Sequence, residues 1–417
     1  MKSVIVVVLL FFIVFCFYCA KDDFTKASDY MSKGNELMDE GKYDEAIEMF
    51  EKAVDLDSSL VEGYNNIAQA YLSKITPNMA VQYCQKALNI DSTNIDAINL
   101  LALAYQNMGL IEKSLAQYEA ILKLDSTNVG AYVGLGGLHL RREEYEQAIS
   151  KFQKALDIDP SNSSVHHNLA YVYYLLGKLD EAEKELNEAL KLKPDFVESH
   201  MSLGLIYSNQ GKVDEAISEY KKVIAINPDL EGTHHSLGMI YVSQGDLDEG
   251  INELIKAVEL NPQFILAHNA LGNAYWQKGE TDEAIAHFKK AIQISPNFVD
   301  PHHSLGIIYY GMGEIDLAIK EFDEISALRP NSAVPHNFLC VLYRENGMWD
   351  KAEEECKRAL NMDSSYLDAH YNLGLLYQRR GDLDKAMSQY RRALKINPDY
   401  KVAQEALRIA EKEKGNR

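Results

Sequence analysis

Basic residues are in short supply. The chain has 42 Lys and Arg against 62 Asp and Glu, a formal net charge of −20 over 417 residues. That balance argues against nucleic-acid binding, which needs a basic face to displace counterions from phosphates. It keeps a long exposed surface soluble without specifying a fold. Cysteine is scarce too. Five in a chain of this length are too few for a disulfide framework. Outside the first 20 residues there is no Cys-x-x-Cys, and nowhere an H-E-x-x-H, so no metal ligand set and no cofactor motif is expected. A phosphate-binding loop is missing as well. The string Gly134-Leu135-Gly136-Gly137 lies inside a helical pattern with no strand before it, and reads as small packing residues.

Long hydrophobic runs are nearly absent, with one exception. Val4 to Ala20 is a run of 17 uncharged, mostly apolar positions, preceded by Lys2 and followed by Lys21, Asp22 and Asp23. It is long for a signal-peptide core and just long enough to span a bilayer as a helix. An uncleaved anchor is the favoured reading. A cleaved signal would find Ala20 at the cut but the bulky Tyr18 two residues before it. A lipid-anchored Cys19 would have that same Tyr18 where a small residue is wanted. A buried helix is disfavoured because the run has no polar face. Residues 1–23 are therefore expected to place the chain at a membrane, with the remainder on the periplasmic or extracellular side. The alternatives are a secreted chain or a cytoplasmic-facing one, since Lys21, Lys26 and Lys33 follow the segment.

What fills the rest is a repeat. Starting at Ala27 and stepping by 34, one pattern runs to Tyr400 without insertion or deletion, giving eleven units. The eighth position is always small: Gly34, Ala68, Ala102, Gly136, Ala170, Gly204, Gly238, Gly272, Gly306, Cys340, Gly374. The twentieth is small as well, as at Ala46, Ala148, Gly250 and Ala386. Small residues at both let two helices of one unit approach closely. Tyrosine fills the eleventh position in nine units, from Tyr71 to Tyr377. Gly41, Gly109, Gly177 and their equivalents sit where a left-handed turn would separate the two helices. Asp180, Asp214, Asp248 and their equivalents follow three residues later, where they would cap the second helix or favour its positive end. Pro160, Pro194, Pro228, Pro262, Pro296, Pro330 and Pro398 stop it.

This pattern closely resembles the tetratricopeptide repeat family, over residues 27–400. The resemblance implies an all-α fold, a right-handed superhelix of antiparallel helix pairs with a concave inner face. Residues 401–417 read as a closing helix, with Arg408 at the position that is small in every repeat. Two units depart. Repeat two has Ser73-Lys74-Ile75-Thr76-Pro77-Asn78 at its turn, and repeat four Arg141-Arg142-Glu143-Glu144. Both lack the glycine and are expected to turn with slightly altered geometry. Only 17 residues follow the last repeat, which leaves no room for a catalytic domain.

The resemblance also assigns faces. Seven successive units carry His at the fourth position, from His166 to His370, a site the family buries. Core packing is expected there rather than metal binding, because equivalent residues on neighbouring helices stand about 8–10 Å apart. The second, fifth, sixth, ninth, twelfth and thirteenth positions are turned inward. In repeats five to nine the candidate partner-binding residues there are His167, Tyr171, Tyr174, Met201, Leu205, His235, Met239, Val242, Asn269, Asn273, Trp276, His303, Ile307 and Tyr310. Val133 and Leu140 precede them in repeat four. An apolar and aromatic stripe with interspersed His and Asn suits a protein partner or extended peptide. The three histidines, 68 residues apart, would hydrogen-bond it or make binding pH-sensitive. The competing reading is that several ninth-position residues merely pack between repeats. Cys340 and Cys356 fall at the eighth and twenty-fourth positions, both core sites. Buried free thiols are the first expectation, with a disulfide the alternative in an oxidising compartment.

The function expected is a non-catalytic interaction scaffold, tethered to or exported across a membrane. The alternative is an accessory protein of a glycosyltransferase or of cell-envelope assembly. Against the former, the asparagine ladder of glycosyltransferase-linked versions is interrupted here: Asn66, Asn168 and Asn372 alternate with Ser202, Ser236, Ser304 and Phe338.

Overall fold

A computed structural model describes residues 25–416, and among them the chain is helical with no strand. It divides into two compact units, Met1–Asn209 and Gln210–Arg417. In the first, α1 covers 25–39. It is followed by α2 (Tyr43–Leu56), α3 (Val61–Ser73), α4 (Pro77–Ile90), α5 (Ile95–Asn107), α6 (Ile111–Leu124), α7 (Val129–Arg141), α8 (Tyr145–Ile158), α9 (Ser163–Leu175), α10 (Leu179–Leu192) and α11 (Val197–Asn209). The second holds α12 (Val213–Ile226), α13 (Glu231–Gln244), α14 (Leu247–Leu260), α15 (Ile265–Lys278), α16 (Thr281–Ile294), α17 (Val299–Gly311), α18 (Ile315–Leu328), α19 (Ala333–Glu345), α20 (Trp349–Met362), α21 (Leu367–Arg379), α22 (Leu383–Ile396) and α23 (Lys401–Gly415). Within each compact unit the two helices of a repeat pack together, as α9 does with α10 and α13 with α14, and α23 packs on α22. The apolar run Val4–Ala20 lies outside the described residues. Among the described residues no helix is long and apolar enough to cross a membrane.

The small eighth position has a definite job. A β-carbon added at Gly34, Gly136, Gly272 or Gly306 would sit 2.4–2.6 Å from the ring of Phe50, Phe152, Phe288 or Phe322 on the second helix of the same unit. All four rings are fully buried. Each glycine is therefore the floor on which the twenty-fourth-position ring lies, and burying such a ring supplies much of the unit's stability. Repeat three shows the compensation. Ala102 occupies its eighth position, and the Tyr118 ring lies instead on Gly134 of the next unit, 2.4 Å from where a β-carbon would stand. Packing therefore explains Gly134 and Gly136, whereas Gly137 meets nothing within 4 Å.

The two turns without glycine still turn, with slightly altered geometry as expected. Ile75 and Glu143, which replace the turn glycine, adopt the same left-handed backbone, with φ of 56° and 60° against 71–90° at the glycines. The left-handed turn is kept at a smaller φ and the L-residues carry the strain, because neighbouring helices fix the path of the chain.

Of the two roles expected of the aspartates, the second is the one seen in α10. The N-cap of α10 is Lys178, with no side-chain cap bond, and Asp180 lies inside the first turn. Its charge there favours the positive helix end without capping it. Several equivalents instead tie consecutive units together: Asp248 pairs with Lys278 at 2.8 Å and Asp350 with Arg380 at 2.7 Å. True side-chain caps come from Asn94, Asn128 and Asn162, which accept from the backbone N–H groups of Ala97, Ala131 and Val165.

Cys340 and Cys356 are joined in a disulfide between α19 and α20, with 5.2 Å between their α-carbons. The expectation of free thiols fails for a spatial reason. In repeat ten the small eighth position and the bulky twenty-fourth both became cysteine, and these two sites face each other across the helix pair. Cys84 stays free and buried, opposite an alanine, Ala68.

Candidate functional site: the inner-face stripes

Each unit carries its own stripe. In the first, the exposed members are Tyr171 on α9 and Leu205 on α11, 48% and 44% accessible. Tyr174 and Met201 are half-buried beside them, and the Tyr174 hydroxyl accepts a hydrogen bond from Asn209 Nδ2 at 3.2 Å. The His167 ring packs on Phe196 at 5.3 Å, and its Nδ1 lies 3.1 Å from the buried Ser199 hydroxyl. Burial holds its pKa below the usual range, against a smaller opposing pull from Glu198.

In the second unit Met239 on α13, Trp276 on α15 and Tyr310 on α17 are 40–44% exposed, on consecutive first helices that pack side by side. Val242, Asn273 and Ile307 fill in between them, half-buried. Leu266, at the second position of repeat eight, is 52% exposed. The sequence reading passed over it, although its repeat position was the available signal.

The fifth-position residues behave differently from the rest of the stripe. His235 packs at a tilt against Phe264, with centroids 5.1 Å apart, and His303 meets Phe322 and Phe338 edge-on at 5.8 and 5.4 Å. Burial lowers the pKa of both. These three imidazoles are wedged against phenylalanines and are neutral at pH 7, so they offer a neutral hydrogen-bonding edge rather than a charge. Asn269 takes the same position between His235 and His303, and its Oδ1 is buried with no hydrogen-bond partner among the described residues. A buried acceptor of this kind is costly unless something donates to it.

A further concavity lies on the same inner positions at the chain's end. Tyr371 and Leu375 of α21 and Val402, Ala406 and Ile409 of α23 line a cavity of about 580 Å³, rimmed by Arg379, Lys401, Glu405 and Glu413. The stripe read from the sequence stopped two repeats short of it.

The fourth-position histidines are more polar than core packing implies. Nδ1 of His166, His234, His302 and His336 donates to a glutamate at the twenty-third position of the same unit, Glu185, Glu253, Glu321 and Glu355, each at 2.6 Å. Nε2 of His166, His200, His234 and His302 faces the carbonyl of the proline ending the preceding unit, at 2.9–3.3 Å. The rings of His166, His234 and His302 thus each link the two helices of one repeat to the end of the preceding repeat. The signal was present in the sequence as a glutamate nineteen residues after five of the seven histidines, the exceptions being His268, followed by His287, and His370, followed by Gln389.

Comparison with known proteins agrees with this architecture. A family model described as TPR repeat matches residues 34–74, 238–279, 277–313 and 342–381. Models described as tetratricopeptide repeat match 61–94, 99–163, 139–204, 197–230 and 367–400. Together these segments cover most of the chain. No curated protein matches it. Among solved structures, MamA protein is 28% identical, over 40% of this chain and 92% of its own, with a TM-score of 0.38. YrrB, described as a TPR protein with an unusual peptide-binding site, is 26% identical over 45% of this chain and 96% of its own, at 0.37. Yeast Tom70 is 17% identical over 94% and 96%, at 0.41.

Proposed function

Because the chain belongs to the tetratricopeptide repeat family, we propose that it is a non-catalytic scaffold whose inner-face stripes hold an extended peptide or a partner subunit. The observation that carries this reading is the set of large apolar side chains left 40–48% exposed at the ninth and twelfth positions: Tyr171, Leu205, Met239, Trp276 and Tyr310. Scattered exposed apolar residues need no explanation, but their recurrence within each unit on neighbouring first helices, α9 with α11 and α13 with α15 and α17, does. Aromatic anchors would supply contact area, and the Asn269 amide with the neutral histidines would fix register. We further propose that residues 1–23 hold the scaffold at a membrane with the repeats exported. The Cys340–Cys356 disulfide supports that placement, since such bonds persist in oxidising compartments.

A photo-cross-linking residue placed at Tyr310 or Tyr171 in the cell tests the first part. Cross-links to one partner from these sites, and none from the exposed Ile75 on the turn between α3 and α4, are expected. The opposite pattern would move binding off the inner face. Membrane fractionation tests the second. Full-length chain should sediment with membranes and a chain starting at Asp23 should not.

A further inference from the structure

Repeat eight breaks the histidine–glutamate pattern. Where repeats five, seven, nine and ten pair the fourth-position histidine with a glutamate, His268 on α15 faces His287 on α16, with 3.1 Å between the two Nδ1 atoms. Two groups of like chemistry have replaced an acid–base pair, in a unit whose helices are otherwise ordinary. The surroundings fix both rings. His268 is 7% exposed, and its Nε2 donates to the Pro262 carbonyl at 3.3 Å. That bond places the proton on Nε2 and leaves the Nδ1 lone pair free. The His287 ring stacks on Tyr275 with centroids 5.5 Å apart and planes 13° from parallel. Either the His287 Nδ1–H donates to the His268 lone pair, or both lone pairs converge on a third atom.

The spacing suits the second arrangement. Two imidazole nitrogens bound to one tetrahedral ion at about 2.0–2.1 Å each stand roughly 3.3 Å apart. A backbone carbonyl holding the far N–H of a ligating histidine is also the usual support for such a ligand. We propose that His268 and His287 form a two-imidazole site for a divalent transition-metal ion of the zinc, nickel and copper class, linking α15 to α16. Among the described residues no third His, Cys, Asp or Glu joins the pair, so water or a partner's side chain completes the coordination. Burial lowers both pKa values, that of His287 to about 4 with added repulsion from His268. Protons therefore do not compete for the nitrogens at neutral pH. The Lys290 ammonium, near enough to depress His268, acts against a bound cation.

The test titrates Zn²⁺, Ni²⁺ and Cu²⁺ into the full chain, with Mg²⁺ as the control for the acidic surface. One ion per chain at micromolar affinity is expected, with two nitrogen ligands in the Cu²⁺ electron paramagnetic resonance spectrum. His287→Gln should fold, because repeat eleven already pairs His370 with Gln389 at 2.7 Å. It should weaken binding at least tenfold and remove one nitrogen from the spectrum, and Lys290→Gln should tighten binding. Binding unchanged in His287→Gln, or matched by Mg²⁺, would assign the ions to surface carboxylates and overturn the site. So would the absence of any one-to-one binding.

Discussion

Trp276→Ala separates binding from folding only in part, and the structure says by how much. A tryptophan offers about 250 Å² to burial. In the free chain 40% of Trp276 remains accessible, so a partner can cover about 100 Å² more. At about 25 cal/mol per Å² that is worth up to about 2.5 kcal/mol of binding, or roughly a seventyfold change in Kd. The other three-fifths is already buried in the free chain. Its removal costs up to about 4 kcal/mol of folding free energy by the same coefficient. From the sequence alone the variant would be expected to lose binding with stability barely altered; the partial burial revises that. Trp276→Ala should both weaken binding and lower stability. Trp276→Phe keeps most of the buried ring and should lose less than tenfold in affinity with little change in stability. The assay uses a peptide selected from a displayed library against the repeats, titrated calorimetrically. Hydrogen exchange of α15 and α16 follows local stability in the same variants, since repeat arrays do not unfold as one two-state unit. Unchanged affinity for Trp276→Ala with a loosened α15 would make the residue purely structural and refute the reasoning.

Ile75→Gly should stabilise the α3–α4 turn by about 0.5–1 kcal/mol, because the left-handed strain of a β-branched residue exceeds glycine's entropic cost. Ile75 is 82% exposed, so little packing is lost, and slower amide exchange in α4 is the readout. Conversely Gly109→Ala, at φ of 72° in open space, should cost about 1 kcal/mol. The hydrogen bond to Glu321 raises the His302 pKa, overcoming desolvation. Its stabilisation is therefore complete below about pH 6.5, the unfolded value, and is lost as pH rises through the folded pKa. Glu321→Gln should flatten that loss in melts between pH 5.5 and 8.5. Under reducing conditions the Cys340–Cys356 link opens, and exchange should quicken in α19 and α20 while α13 and α14 are unaffected, as contacts run between neighbouring repeats.

The sequence by itself determined the helix pairs. A 34-residue period with a small eighth position, a glycine turn and a closing proline leaves little freedom in how each unit folds, because helix spacing is set by the size of the residues between them. It also singled out the ninth- and twelfth-position residues of the stripes, through the faces that the family resemblance assigns to those positions. Tertiary structure decided what depends on meetings across helices. Cys340 and Cys356 are 16 residues apart and look like two separate core sites until the helix pair brings them together. His167, His235 and His303 read as ligand-facing, yet the fold brings a phenylalanine against each ring: Phe196 and Phe264 from the turn that ends the same repeat, and Phe322 and Phe338 from α18 and α19. Ile75 and Glu143 keep a glycine's backbone because packing on either side outweighs local preference. The pairing of His268 with His287 needed the same knowledge. Residues nineteen apart have no local relation along the chain, and only the antiparallel return of the second helix sets their ring nitrogens in contact.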